Sequence, residues 1–315
     1  MTDGAEQRGA SPEVIAVWAL YAAVALAILV TYTRLPLQEL YHVGGSGLEV
    51  GAGRALVFVN FPVALVSIGI LLVLLDGLSS RWERALALAG IVLSAAVFWP
   101  DVVTQRDLDA RPVNAIAAVG VLIALGLTVW SSRGAPLARF ERQPGDAVRV
   151  GIATVLLALA LPWIAAELGF SFDGIPVLGT LYQTGELRSQ PGVAGLHTAV
   201  HHGHHHGGDG TLLCLTVLLL SRVVSRLGGR ALRGVFCAYL ALMFCYGLGN
   251  IANDWWLEQV VKRGWTTWQV PDVTVPKASV AWAVIVASAA VIWLVAWTTR
   301  LGTTAVPDAR EARSV

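Results

Sequence analysis

The chain has 315 residues, 56% of them hydrophobic and only 14% charged, with a formal net charge of +1. Soluble domains carry charge on about a quarter of their residues, so this composition excludes an ordinary soluble fold and points to an all-α, polytopic membrane helix bundle. With no basic face outside short loops, a nucleic-acid partner is also excluded. The lipid bilayer is the expected partner, and the composition leaves room for a homo-oligomer.

Residues 1–13 read as a short polar cytoplasmic tail, and the first span follows at Val14–Thr33. A retained helix is expected there, because only Arg8 precedes a long apolar run. The loop Arg34–Arg54 contains Gly44-Gly-Ser-Gly47, which lacks the Gly-Lys-Ser/Thr ending of a phosphate loop. That string resembles the Gly-x-Ser-Gly of rhomboid-like intramembrane proteases, a likeness that would need a histidine base within reach of Ser46. Span two, Ala55–Leu75, holds Asn60 and Pro62 near its expected start, where proline costs little. Spans three and four are expected at Ala85–Val103 and Val113–Trp130. Span five, Val148–Leu168, contains Pro162 and has Glu167 at its far end.

The longest loop, Gly169–Gly210, ends in Gly195-Leu-His-Thr-Ala-Val-His-His-Gly-His-His-His-Gly-Gly-Asp-Gly210, which holds six of the seven histidines. Imidazole is the commonest metal ligand among side chains and the one that titrates near neutral pH, so the cluster points to a metal site or a proton-responsive one. If residues 195–206 are helical, His197, His201 and His205 line one face, with His202 and His206 as a neighbouring pair; Gly203, Gly207 and Gly208 weaken a continuous helix, so a turn that folds the later histidines back stands equally beside it. His204 completes the six candidate ligands. Asp209 reads either as a further functional carboxylate or as the N-cap of the next helix. The spacing His197-x-x-x-His201-His202 resembles one histidine box of the membrane desaturases and hydroxylases, which bind two irons. Those enzymes share several boxes along the chain, whereas here only His42 lies outside the single cluster.

Span six is expected at Thr211–Leu227, with Arg222 and Arg226 snorkelling from its inner end. Counting back about 20 residues from them puts His204–His206 at the outer lip of the membrane. Span seven, Val235–Asp254, has an unusually polar outer end in which Tyr246, Asn250 and Asn253 share a stripe beside Asp254. Such groups are costly in a span unless they face its interior, a cavity or a partner. Asn60, Asn114, Glu167, Arg54 and Asp101 are expected near the same level. Trp255–Lys277, rich in tryptophan, reads as an interfacial segment. Span eight, Ala278–Thr298, leads to a cytoplasmic tail at 299–315, so that 14–298 form one bundle.

Fourteen of the 22 Lys and Arg residues fall on the side of the termini. The positive-inside rule therefore places both termini in the cytoplasm of a plasma (inner) membrane, with the histidine loop outside. Cys214, Cys237 and Cys245 fall inside spans as small apolar residues, and a Cys214–Cys245 disulfide is left undecided.

The first functional reading is a metal-dependent membrane enzyme, a hydrolase or oxidoreductase, that binds Zn, Fe or Cu through the histidines. Asp254 and Asp209 are its candidate catalytic carboxylates. Asn250, Asn253, Glu167 and Asn60 would surround a small-molecule or lipid substrate. Two alternatives stand beside it: a metal-ion or proton sensor or transporter, and a structural membrane protein whose histidine loop chelates metal adventitiously. Convergence separates them, because a working site must bring these rings to one point beside span seven.

Overall fold

The computed structural model describes residues 10–35, 47–99, 113, 115–133, 139–172, 174–181, 187–190 and 193–298. His42, Ser46, Asp101 and Asn114, singled out above, lie outside them. The protein is an all-α membrane bundle. Among the described residues, six helical segments are long and apolar enough to cross a bilayer. They are α1 (Pro12–Arg34), α2 (Gly47–Leu74), α4 (Ala115–Ser132), α5 (Asp146–Glu167), α7 (His206–Leu220, running on to Arg226) and α8 (Arg230–Val261). The other two expected spans appear as shorter helices, α3 (Arg81–Ser94) and α9 (Val280–Ala296). The connection before α7 contains a one-turn helix, α6 (Leu178–Leu181), and an antiparallel hairpin of β1 (Leu187–Gln190) and β2 (Val193–Thr198).

Helix α1 starts where sequence chemistry directs it. The Ser11 hydroxyl accepts the Val14 N–H, and Pro12 occupies the first turn, where its missing N–H costs nothing. Helix α2 is the bundle's centre: 83% of its apolar window is buried, against 28% for α1 and 22% for α5. A helix that is apolar all round belongs inside, and α1 and α5 accordingly turn much of their surface to lipid.

The expected start of span two is corrected. The helix begins at Gly47, which puts Pro62 well inside it, and the backbone widens there into a π turn, Val59–Val63. A proline removes one helical donor and crowds the preceding turn, and local π geometry relieves both problems.

Helix α7 packs most extensively on α8. A Cβ added to Gly210 would lie 2.4 Å from the Gly247 carbonyl oxygen, and one added to Gly247 would lie 2.7 Å from that of Gly210. Only two facing glycines permit so close a crossing. It brings the residue after Asp209 against Asn250, whose Cβ would be 3.1 Å from the added atom. Cys214, Cys237 and Cys245 are buried, and among the described residues none of them forms a disulfide.

Of the two arrangements open to residues 195–206, the structure has the turn and not one helix: Val193–Thr198 is a strand, and Gly195 and Gly203 have φ of 91° and 113°, which a right-handed helix does not accommodate. Arg222, expected to reach lipid headgroups, is 8% exposed. Its guanidinium binds Glu13 at 3.1 Å and also Asp146, while Arg226 binds the other Glu13 oxygen at 2.5 Å. These contacts clasp α1, α5 and α7 together at one end of the bundle.

Candidate metal centre and its carboxylates

At the opposite end, the last turns of α1, α5 and α8 converge on the first turn of α7. The Tyr32 hydroxyl of α1 accepts the backbone N–H of His204. Gly203 makes this possible, since a Cβ there would sit 2.5 Å from the Tyr32 oxygen. The Gly203 N–H is held in turn by the Ala166 carbonyl of α5 at 3.3 Å. The segment carrying the histidines is thus anchored to two helices before α7 begins.

Among the described residues, one group has donor atoms close enough to share a metal ion: His201, His205 and Glu258, mutually within 4.8 Å. The two imidazole centroids are 4.5 Å apart. His205 Nδ1 lies 3.0 Å from Glu258 Oε1, and both side chains are 3% exposed. His205 Nε2 lies 2.9 Å from the His201 carbonyl oxygen. The second carboxylate oxygen, Glu258 Oε2, accepts the Trp163 indole N–H at 2.7 Å. Trp163 reaches it because Gly207 leaves room, where a Cβ would fall 2.3 Å from the indole ring.

Beside this group His204 stands between two carboxylates. Its Nε2 lies 2.8 Å from Asp209 Oδ2 and its Nδ1 3.5 Å from Glu167 Oε2. Burial works against a charged His204 ring, but Asp209 and then Glu167 outweigh it and hold its pKa well above the ordinary histidine value. Burial likewise opposes protonation of His205, and the Glu258 carboxylate more than offsets it. His206 Nδ1 is 3.8 Å from Asp209 Oδ2, and the His206 side chain is 28% exposed.

The remaining candidates have other partners. Asp254 Oδ2 accepts the Gly207 N–H at 2.6 Å, an anionic partner for the first turn of α7. Asn250 donates to the Tyr246 carbonyl at 3.0 Å and Asn253 to the Val270 carbonyl at 2.7 Å, so both hold local backbone. Asn60 lies in the π turn of α2, 1% exposed, with neither amide atom hydrogen-bonded among the described residues. The neighbouring Phe61 ring stands edge-on to His206 at 6.1 Å. His202 is half-buried, and His197 pairs in β2 opposite Arg188.

Glu258 was not among the sequence candidates. A signal for it existed, because Asn250, Asp254 and Glu258 recur at a spacing of four, one stripe of a helix carried past Asp254. That helix does continue, through a π turn at Leu257–Val261. Two imidazoles and a carboxylate are the donor set of three-ligand catalytic zinc sites and of non-haem iron(II) sites, both of which keep coordination positions open.

Comparison with protein-family models, curated proteins and solved structures gives no match.

Proposed function

We propose that this integral membrane protein is a metal-dependent membrane enzyme whose metal is held by His201, His205 and Glu258. The observation that carries the reading is the meeting of these three donors within 4.8 Å, from elements more than fifty residues apart in the chain. Trp163 supports it, since an indole N–H on the far oxygen of a ligating carboxylate fixes which oxygen faces the metal.

Three protein ligands favour a reactive centre over a structural one, which usually closes its shell with four. A metal held by His201, His205 and Glu258 would supply Lewis acidity at that point. Proton handling falls to His204, placed between Asp209 and Glu167 so that a proton held at Nε2 or Nδ1 has a carboxylate at either side. Asp254 holds the N-terminus of α7, and hence His205 and His206, in register with α8. Zinc and iron(II) both suit the donor set; zinc would serve a hydrolase, and iron(II) an oxidoreductase that takes dioxygen as its oxidant. The arginine distribution supports a site on the extracytoplasmic face of the plasma membrane with both termini inside.

Elemental analysis of untagged protein in mild detergent tests this reading. About one zinc or iron per chain is expected, falling to background in His201→Ala and in Glu258→Ala. His197→Ala should retain the metal. Unchanged metal content in both of the first two variants, each eluting as a folded species, would remove the reading.

A further inference from the structure

A groove of about 300 Å³ runs between α1, α5 and α7 and ends on the site just described. Its walls include Leu20, Val24, Leu157, Ile164, Leu212 and Leu215. All three helices are long and apolar enough to span the membrane, and the wall is open on its outer side: Leu157 is 44% and Ile164 39% exposed. From Leu157 to Glu167 the groove climbs about 15 Å along α5, a length that accommodates much of an acyl chain.

The upper end changes character abruptly. There the lining is His204, His205, Asp209 and Glu167. Asp209, 1% exposed, uses Oδ2 for His204 and leaves Oδ1 without a hydrogen-bond partner among the described residues. Glu167 leaves Oε1 without a hydrogen-bond partner among the described residues. A buried acceptor with no donor is costly, so the groove joins an apolar wall to two oxygens that call for hydrogen-bond donors. A small polar solute would satisfy the oxygens and leave the wall uncovered. A lipid without a donor in its headgroup would cover the wall and leave the oxygens unmet.

We infer that the groove binds an acyl-chain amphiphile whose headgroup presents a hydroxyl or amide N–H to Asp209 and Glu167, and that this is the substrate class of the site. The inference rests on the metal-enzyme reading for the reaction, but binding itself requires only the groove.

The test uses the full chain reconstituted in phosphatidylcholine vesicles with one of two probes. One is a monoacylglycerol carrying a diazirine in its chain, and the other a phosphatidylcholine carrying the same chain but no donor. After illumination, cross-linked peptides are mapped. The monoacylglycerol should label the α1, α5 and α7 walls about fivefold more than the phosphatidylcholine, the ratio expected for one hydrogen bond gained. Excess unlabelled monoacylglycerol should abolish that labelling, and Ala23→Trp, which fills the lipid side of the groove from an exposed position, should reduce it severalfold. Equal labelling by the two probes, or labelling that competitor does not displace, overturns the inference, and the competition arm decides even if the tryptophan variant fails to fold. His201→Ala keeps the two readings apart: it should lose metal and keep labelling. Lost labelling in the groove with metal retained in wild type would sink the lipid inference alone.

Discussion

Glu258 meets a different partner with each oxygen, His205 at 3.0 Å and Trp163 at 2.7 Å. Replacing Trp163 by phenylalanine keeps an aromatic ring on the inner face of α5, withdraws the outer edge of the indole from Gly207 and removes the N–H. We expect metal affinity to fall about 10- to 100-fold, the usual cost of losing such a support, while the folded yield stays that of wild type. Competition with a chelator of known affinity measures it, and an unchanged value would make Trp163 a packing residue only. The histidines were visible in the sequence because imidazole density is a matter of composition. Their arrangement was not: His201 and His205 meet through an irregular turn after β2, and the glycines of the segment left a helical face and such a turn equally open in the sequence. Glu258 was hidden because Asp254 looked like the end of a helix, and the π turn that carries the chain on leaves no simple periodic mark.

At the scale of elements, hydropathy located the spans because a bilayer demands about 20 apolar residues, and no tertiary contact is needed to read that. The ends of those spans depended on contacts that periodicity does not record. The start of α2 moved to Gly47 because a π turn absorbs Pro62, and α7 reached back to His206 because Asp254 supplies an anion to its first turn. The crossing of α7 and α8 depends on Gly210 and Gly247, each of which would place a Cβ within 3 Å of the other's carbonyl oxygen. Gly247→Val should force the helices apart and cost about 1–3 kcal/mol, as overpacking generally does. Thermal unfolding in detergent would show this as a lowered midpoint. Because Asp254 and Glu258 ride on α8 while His205 precedes α7, the same variant should also weaken metal binding. A lowered midpoint with full metal affinity would mean that the two helices set the site independently of their separation.

Across the whole molecule, α1, α5 and α7 are pinned at both ends, with the groove between. One end is the site, where Tyr32 and Ala166 hold the histidine segment. The other is the clasp of Arg222 and Arg226 on Glu13, whose side chain is 1% exposed. Glu13→Ala would leave two guanidinium groups facing a partner that has gone, and removing one member of a buried pair costs about 3–5 kcal/mol. Asp146 still binds Arg222 and Arg226 is 43% exposed, so the lower part of that range is expected in a thermal melt. Nineteen positions of α1 separate Glu13 from Tyr32, roughly 30 Å, and the buried side chains between them, Val17, Tyr21 and Ile28, hold the helix in place, so little of a local loosening reaches the far end. Metal affinity at low temperature should therefore match wild type even as the midpoint falls. If Glu13→Ala weakens the metal site while the protein remains folded, α1 slides along its groove as a unit, and the position of Tyr32, with the histidine backbone it holds, is set from the far side of the membrane.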